Sequence, residues 1–291
     1  MDREELKGSL LVVAAGMCWG LTGTVQAFAP AGASPLTVGA ARVAAAGIIM
    51  VICALLKNGP SFFGGSWNFK GLFFAALGLI AYQLTFFSAV KLTGVAIGTM
   101  IAIGSSPAMA GILGRIAFKE HLKPRWYIAT AMAVAGCSAL ALAGGADTVK
   151  VSALGIFLAF AAGFSYALEG YGLRLVTGRS PFETITVVTA MSAVMGLPWL
   201  IFGDISWIAT PSGLSVVMIL ALVSSVFPFC FFAAGLKRIT MGKAYTLSLS
   251  EPMTAWILSS LILGERLSVT GIAGVSVLFC GIILLACGSD K

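Results

Sequence analysis

Hydrophobic residues in this chain fall into ten long runs, separated by short segments that carry charges, proline or glycine. Each run is about 20 residues long, the length that an α-helix needs to cross the hydrocarbon core of a bilayer. The pattern predicts an all-α membrane protein with ten transmembrane helices. The predicted spans lie near residues 8–28, 36–56, 71–90, 94–117, 126–144, 153–173, 182–202, 213–236, 243–263 and 269–288.

Composition agrees with this pattern and excludes a soluble protein. Hydrophobic residues make up 59% of the 291 residues and charged residues only 10%, against roughly 45–50% and about 25% in an ordinary soluble domain. Ten spans leave no room for a separate soluble domain. We therefore expect a multi-pass protein of the cytoplasmic (inner) membrane, with the lipid bilayer as its surroundings.

The distribution of basic residues predicts the orientation. If the N-terminus is cytoplasmic, 14 of the 18 Lys and Arg residues fall on the cytoplasmic side, Lys91, Lys150 and Arg266 lie outside, and Arg42 lies within a span. Short cytoplasmic loops collect positive charge in this way, so both termini are predicted to be cytoplasmic. The net charge of +7 is explained by these loops, and no nucleic-acid partner is expected. The cytoplasmic set is Arg3, Lys7, Lys57, Lys70, Arg115, Lys119, Lys123, Arg125, Arg174, Arg179, Lys237, Arg238, Lys243 and Lys291.

The chain also contains an internal repeat. Residues 8–20 align with 155–167 at an offset of 147, and Ser34-Pro35 aligns with Ser180-Pro181 at an offset of 146. From the third span onward the offset is 145, which places Pro107 on Pro252 and Glu120 on Glu265. The repeat predicts two units, residues 1–145 and 151–288.

An odd number of helices in each unit fixes their relative orientation. With five helices apiece, the second unit begins on the opposite side of the membrane, so the repeats are predicted to be inverted. In secondary transporters, inverted repeats place the substrate near the bilayer midplane and alternate its access to the two sides.

These residues resemble the EamA family of ten-helix carriers in the drug/metabolite transporter superfamily. The resemblance rests on Trp19-Gly20 in the first span, Arg42 in the second, Pro107 and Glu251-Pro252 in the fourth and ninth, and the segment 263–267, whose first-half copy is 118–122. It implies a carrier of small molecules, with export as the direction. It does not name the cargo, because family members carry amino acids, other metabolites and drugs.

The resemblance and the sequence together predict a secondary transporter without a cofactor. No GxxxxGK[ST] phosphate-binding motif is present, so an ion or substrate gradient has to drive transport, and protons are the expected coupling ion by analogy. Both repeats lie in one chain, so a monomer is expected to be functional.

Three ionisable residues lie inside predicted spans, where charge is costly and often functional. Glu251 lies near the middle of the ninth span, and we expect it to bind a substrate ammonium group or to carry protons. The alternative is a structural role, as a pair with Arg42 or as the cap of a helix break. Arg42 is a candidate for a substrate carboxylate or for packing, and Glu169 is a candidate that lies close enough to the cytoplasmic interface to reach it.

Helix breaks and neighbouring polar or aromatic side chains complete the predicted substrate site. Proline removes a backbone donor and frees a carbonyl one turn earlier, so breaks are predicted at Pro107 and Pro252. The remaining candidates are Trp19, Tyr82, Gln83, Ser105, Ser106, Tyr166 and Tyr245.

Three function classes compete for a chain of this kind. A midplane carboxylate, a membrane Arg and aromatic residues favour export of amino acids, aromatic or hydrophobic members in particular. Efflux of drugs or lipophilic cations is the alternative, since Glu251 and aromatic residues suffice for it. An enzyme is not expected, because the aspartates Asp2, Asp147, Asp204 and Asp290 are dispersed in loops and termini, and neither a catalytic group nor a metal site is predicted.

Overall fold

A computed structural model describes residues 3–26, 28–93, 95–143, 152–262 and 269–287. The described residues contain helices and no strand. The residues 263–267 that helped to establish the resemblance lie outside them. The helices are α1 (Arg3–Gln26), α2 (Pro35–Asn58), α3 (Phe69–Thr93), α4 (Val95–Phe118), α5 (Pro124–Ala143), α6 (Ala153–Leu175), α7 (Pro181–Phe202), α8 (Pro211–Ala221), α9 (Phe227–Leu236), α10 (Met241–Leu247), α11 (Ser250–Ile262) and α12 (Val269–Ala286).

Eight stretches of the described residues are long and apolar enough to cross a membrane. One of them joins α8 and α9 through a π-helical turn at Leu222–Val226. The fifth and ninth predicted spans, which correspond to α5 and to α10 with α11, are not among the eight. Apolar side chains cover the outer surface, as Leu56 and Phe202 show with 83% and 89% exposure. A soluble surface would not carry so much exposed apolar area, so the exterior is suited to lipid.

Equivalent sequence signals begin equivalent helices. The Ser34 hydroxyl accepts a hydrogen bond from the Thr37 N–H at the start of α2, and Ser180 caps α7 in the same way through Glu183. In each case proline occupies the first helical position, where its missing N–H costs nothing. The Glu183 carboxylate also accepts from the Ser180 N–H and so completes a capping box.

The packing of the helices also comes in matching pairs. The contact between α3 and α6 has its counterpart in the contact between α9 and α1. Likewise, the contact between α4 and α6 has its counterpart between α11 and α1. The pairs α2 with α7, α4 with α10, and α5 with α12 join equivalent helices of the two halves. The matching extends to the close contacts of glycine.

Matched glycines allow helix backbones to approach closely. A Cβ placed on Gly136 of α5 would lie 2.6 Å from the Leu278 nitrogen of α12, and one on Gly281 of α12 would lie 3.1 Å from the Ala133 nitrogen of α5. Gly281 aligns with Gly136, and Leu278 with Ala133, so one contact is made twice. Small residues at membrane helix contacts have this role.

Candidate functional site

Arg42 of α2, Glu169 of α6 and Glu251 of α11 are brought towards the centre of the bundle. Arg42 interacts electrostatically with Tyr82 and Glu251, and Tyr82 of α3 also interacts with Glu169. Arg42 and Glu251 are partly exposed, whereas Glu169 is 4% exposed. Within the part of the chain that the structure describes, none of the three makes an ion pair within 4 Å. Arg42 and Glu251 therefore attract each other without forming a direct pair.

A cluster of aromatic rings lies beside these charges, with Tyr166 at its centre. The Tyr166 ring lies 6.0 Å from Trp19, 5.5 Å from Tyr82, 4.5 Å from Tyr245 and 6.0 Å from Phe232, measured between ring centroids. All four aromatic candidates from the sequence, Trp19, Tyr82, Tyr166 and Tyr245, thus meet in one cluster. Its fifth member, Phe232, was not predicted.

The helix around Glu251 is interrupted between α10 and α11, at Ser248 and Leu249. Pro252 has no N–H to donate to the Ser248 carbonyl four residues earlier, and this carbonyl instead accepts from the Glu251 N–H at 3.0 Å. The Ser250 hydroxyl donates to the Val13 carbonyl of α1 at 3.1 Å. Glu251 therefore lies in the first turn of α11, directly beside an anchored break.

The equivalent break predicted at Pro107 is wrong, because α4 runs without interruption from Val95 to Phe118. Pro107 leaves the Ile103 carbonyl without its helical donor, and the Ser106 hydroxyl donates to that carbonyl at 2.8 Å. Ser106 aligns with Glu251, whose carboxylate cannot donate in this way when ionised. The half that carries the serine thus has a continuous helix, and the half that carries the glutamate has an interrupted one.

Several predicted site residues have structural contacts in place of a central position. Ser106 is fully buried, and the Ser105 hydroxyl contacts the Ala102 carbonyl at 3.3 Å. Gln83 is 6% exposed, and its side-chain oxygen lies 3.5 Å from the position of a Cβ on Gly39. These three side chains serve helix geometry and packing in this structure.

Tyr245 is fully buried, and its hydroxyl is used by the backbone of α6. The hydroxyl donates to the Tyr166 carbonyl at 2.6 Å and accepts from the Gly170 N–H at 3.0 Å. These are the two groups that an α-helix joins by its own i to i−4 bond. Tyr245 therefore holds the turn of α6 that carries Glu169, which sequence patterns gave no reason to expect.

At one end of the bundle, ion pairs join the two halves. Glu120 forms an ion pair with Arg174 at the end of α6, and its carboxylate accepts from the Met241 N–H at 2.9 and 3.1 Å at the start of α10. We call Glu120, Arg174 and Met241, together with Glu5–Lys243 (2.6 Å) and Glu4–Arg238 (2.9 Å), the end network.

The end network was not recognised as such from the sequence. The sequence places Lys243 on the cytoplasmic side, at the first position of the ninth predicted span, and in the structure it lies in α10 with its side chain 1% exposed. The repeat did align Glu120 with Glu265 across the halves, and this was the one signal that could have drawn attention to Glu120. Each pair links one half to the other, so sequence proximity gave no further sign of it.

Comparison with known proteins agrees with this architecture. The EamA-like transporter family matches residues 6–142 and again residues 153–287. The chain is 37% identical over 286 residues to the uncharacterized transporter YwfM of Bacillus subtilis (strain 168), covering 97% of this chain and 95% of YwfM. It is 23% identical over 294 residues to the uncharacterized inner membrane transporter YicL of Salmonella typhimurium, covering 98% and 97% of the two chains.

A solved crystal structure shares the fold. It superposes with a TM-score of 0.82 at 19% sequence identity, covering 95% of each chain. Two family matches, a full-length relative and a lipid-facing helical bundle together establish that this chain belongs to the EamA-like transporter family and is a multi-pass transporter of the cell membrane.

Proposed function

We propose that the chain is a secondary transporter that exports amino acids, aromatic or hydrophobic members in particular, by alternating access. The observation that carries the proposal is the arrangement of Arg42 and Glu251. They attract each other, are partly exposed, and form no ion pair within the described residues. A charge in an apolar interior is costly unless a partner neutralises it. A zwitterion offers a partner to each.

The two charges match the two ends of an amino acid. The Arg42 guanidinium is a planar, bidentate donor suited to a carboxylate, and the Glu251 carboxylate accepts hydrogen bonds from an ammonium group. The ring cluster of Trp19, Tyr82 and Tyr166 beside them offers contact area to an apolar or aromatic side chain. In this binding mode the substrate carboxylate points towards α2 and its ammonium group points towards α11.

The proposed topology comprises ten spans in two inverted repeats with cytoplasmic termini. Supporting it, each major contact of one half has a counterpart in the other, and α5 with the α10–α11 pair would supply the fifth and ninth spans. The basic residues then collect on the cytoplasmic side. In this orientation the end network lies on the inner side of the bundle.

A second candidate, efflux of lipophilic cations, is favoured by a different observation. The aromatic cluster adjoins two carboxylates, Glu169 and Glu251, which suits a cation with an apolar body. This cargo would not need Arg42, and that difference separates the two candidates.

The test is counterflow of labelled amino acids, aromatic members first, and separately of a labelled lipophilic cation, in proteoliposomes. For an amino-acid carrier, Glu251→Gln and Arg42→Gln should each lower the rate by about 100-fold, since loss of a buried charge partner costs about 3 kcal/mol. The exposed Arg115→Gln and Glu4→Gln variants are controls that should retain transport.

The outcome of the Arg42 variant decides between the cargoes. Amino-acid counterflow that survives Arg42→Gln would contradict the proposed binding mode. Cation transport that is lost in Glu251→Gln and kept in Arg42→Gln, with no amino-acid counterflow in the unmodified protein, would establish the second candidate.

A further inference from the structure

Glu169 differs from the other two central charges in being enclosed. It is 4% exposed, and neither a hydrogen bond nor an ion pair of its carboxylate occurs among the described residues. The backbone of α6 at this point is pressed against α3, because a Cβ on Gly78 would lie 2.9 Å from the Glu169 Cα. The backbone that carries Glu169 is therefore in close contact with α3.

The titratable groups that face Glu169 are tyrosines. Tyr82 approaches from α3, Tyr245 from α10 and Tyr166 from the same helix, and each interacts with it electrostatically. Among the described residues, no Lys or Arg lies within 4 Å of the Glu169 carboxylate. Arg115 of α4 is exposed, and Arg174 of α6 pairs with Glu120. Lys243 of α10 pairs with Glu5.

The equivalent position in the first half is satisfied in an ordinary way. Thr22 aligns with Glu169, and its hydroxyl lies 2.9 Å from the Ser224 hydroxyl in the π-helical turn. Where one half has a hydrogen-bonded threonine, the other has a carboxylate with no such partner. Packing alone does not require the carboxylate, because threonine fills the matching position.

An enclosed carboxylate of this kind calls for a small cationic ligand. Burying an ionised carboxylate without a partner costs several kcal/mol. A metal cation would need several oxygen ligands around it, whereas a proton neutralises the group without any. We propose that Glu169 is a proton-binding site of this transporter, separate from Arg42 and Glu251, which the proposed function assigns to the substrate.

The proton site is connected to the substrate site through Tyr245. The Tyr245 hydroxyl holds the Tyr166 carbonyl and the Gly170 N–H on either side of Glu169. Tyr245 lies in α10, three residues before the break that precedes Glu251. Protonation converts the Glu169 carboxylate to a neutral carboxylic acid. Release of the proton to the other side of the membrane restores the anion. These two hydrogen bonds link the Glu169 turn of α6 to α10, directly before the break.

Infrared titration of the purified protein in lipid nanodiscs tests the site without any substrate. At near-neutral pH exposed carboxyl groups are ionised, so the C=O band of a protonated carboxyl reports a buried acid. We expect a band that is lost in Glu169→Gln, kept in Glu251→Gln and restored at a changed frequency in Glu169→Asp. Thermal unfolding of each variant confirms that it is folded.

Three results would overturn the assignment: a band that persists in Glu169→Gln, a band that disappears only in Glu251→Gln, or a band removed by sodium chloride at constant pH but not by potassium chloride.

The role of Glu169 in coupling rests on the proposed function, and is tested in proteoliposomes. Glu169→Gln should keep amino-acid counterflow and lose accumulation driven by a pH gradient. Loss of both would make Glu169 a substrate ligand. If the unmodified protein transports no amino acid, the proposed cargo is wrong. The infrared result still tests whether Glu169 binds a proton.

Discussion

The two halves of this chain pack through matching contacts but place different charges inside the bundle. Glu169 and Glu251 of the second half align with Thr22 and Ser106 of the first, and both of these hydroxyls are hydrogen-bonded. The asymmetry is reversed for Arg42 of the first half, since it aligns with Val188, a buried apolar residue. Every central charge thus has a neutral counterpart in the other half.

This difference separates what builds the fold from what the transporter does. Contacts that occur twice, such as those of Gly136 and Gly281, satisfy the requirements of helix packing. Charges that occur once carry a desolvation cost that the other half avoids. Under the proposed function, a ligand and not the bundle supplies the partner of these asymmetric residues.

Making the halves alike should produce the largest effect. In the triple variant Arg42→Val, Glu169→Thr, Glu251→Ser, each charge is replaced by the residue of the other half. We expect transport to fall to background, while the free energy of unfolding stays unchanged or rises by about 1–3 kcal/mol, because buried charges are exchanged for neutral groups. Counterflow and thermal unfolding of the purified protein measure the two effects.

The matched control changes the neutral partners. Thr22→Ala and Ser106→Ala remove one hydroxyl each from the first half and should keep transport within about threefold, with a loss of about 1 kcal/mol in stability from the lost hydrogen bond. A triple variant that fails to fold would show that the charges hold the bundle together, contrary to this comparison.

Much of the fold could be read from the sequence, because hydropathy and repetition are local or periodic signals. The apolar runs predicted the helices α1 to α4 and α6 to α9 closely, and Ser34-Pro35 and Ser180-Pro181 mark the starts of α2 and α7. Helix capping depends only on neighbouring residues. The family was also identified from such motifs, and the family match shows it.

The rest of the site depended on contacts between distant residues. Pro107 and Pro252 carry the same local signal, but the Ser106 hydroxyl donates to the carbonyl that Pro107 frees in a continuous α4, whereas α10 and α11 are separate helices. Tyr245 was predicted to be a substrate ligand, because the sequence around a tyrosine inside a span does not indicate which group its hydroxyl contacts. Only the fold shows that its hydroxyl is engaged by α6.

Alanine substitution at matched glycines tests whether equivalent contacts of the two halves contribute equally to stability. Gly16 faces Ser250, and Gly163, its counterpart, faces Ser105, so the contacts are equivalent. A Cβ would lie 2.9 Å from the Ser248 carbonyl oxygen in the first case and 2.7 Å from the Ala102 carbonyl oxygen in the second. Gly16→Ala and Gly163→Ala should each lower the unfolding free energy by about 1–3 kcal/mol through overpacking.

Equal effects are the informative result here. Chemical unfolding of the two variants in detergent micelles, with the exposed Gly64→Ala as control, measures the change. If only one of the pair were destabilised, the contact would not be equivalent in the two halves. The claim that symmetric contacts build the bundle would then be lost for these helices.

The end network should give the smallest effects, graded by burial. Glu120→Gln removes the charge that pairs with Arg174 and that accepts from the Met241 N–H, and should lower the unfolding free energy by about 1–2 kcal/mol. Glu4→Gln weakens a pair whose carboxylate is 63% exposed, and should cost below about 1 kcal/mol. Hydrogen exchange along Met241–Leu247 should become faster in Glu120→Gln and stay unchanged in Glu4→Gln.

High salt should abolish the small effect of Glu4→Gln and leave most of the Glu120→Gln effect, because screening acts on exposed charges far more than on buried ones. Equal costs for the two variants would mean that the buried carboxylate does not hold the start of α10.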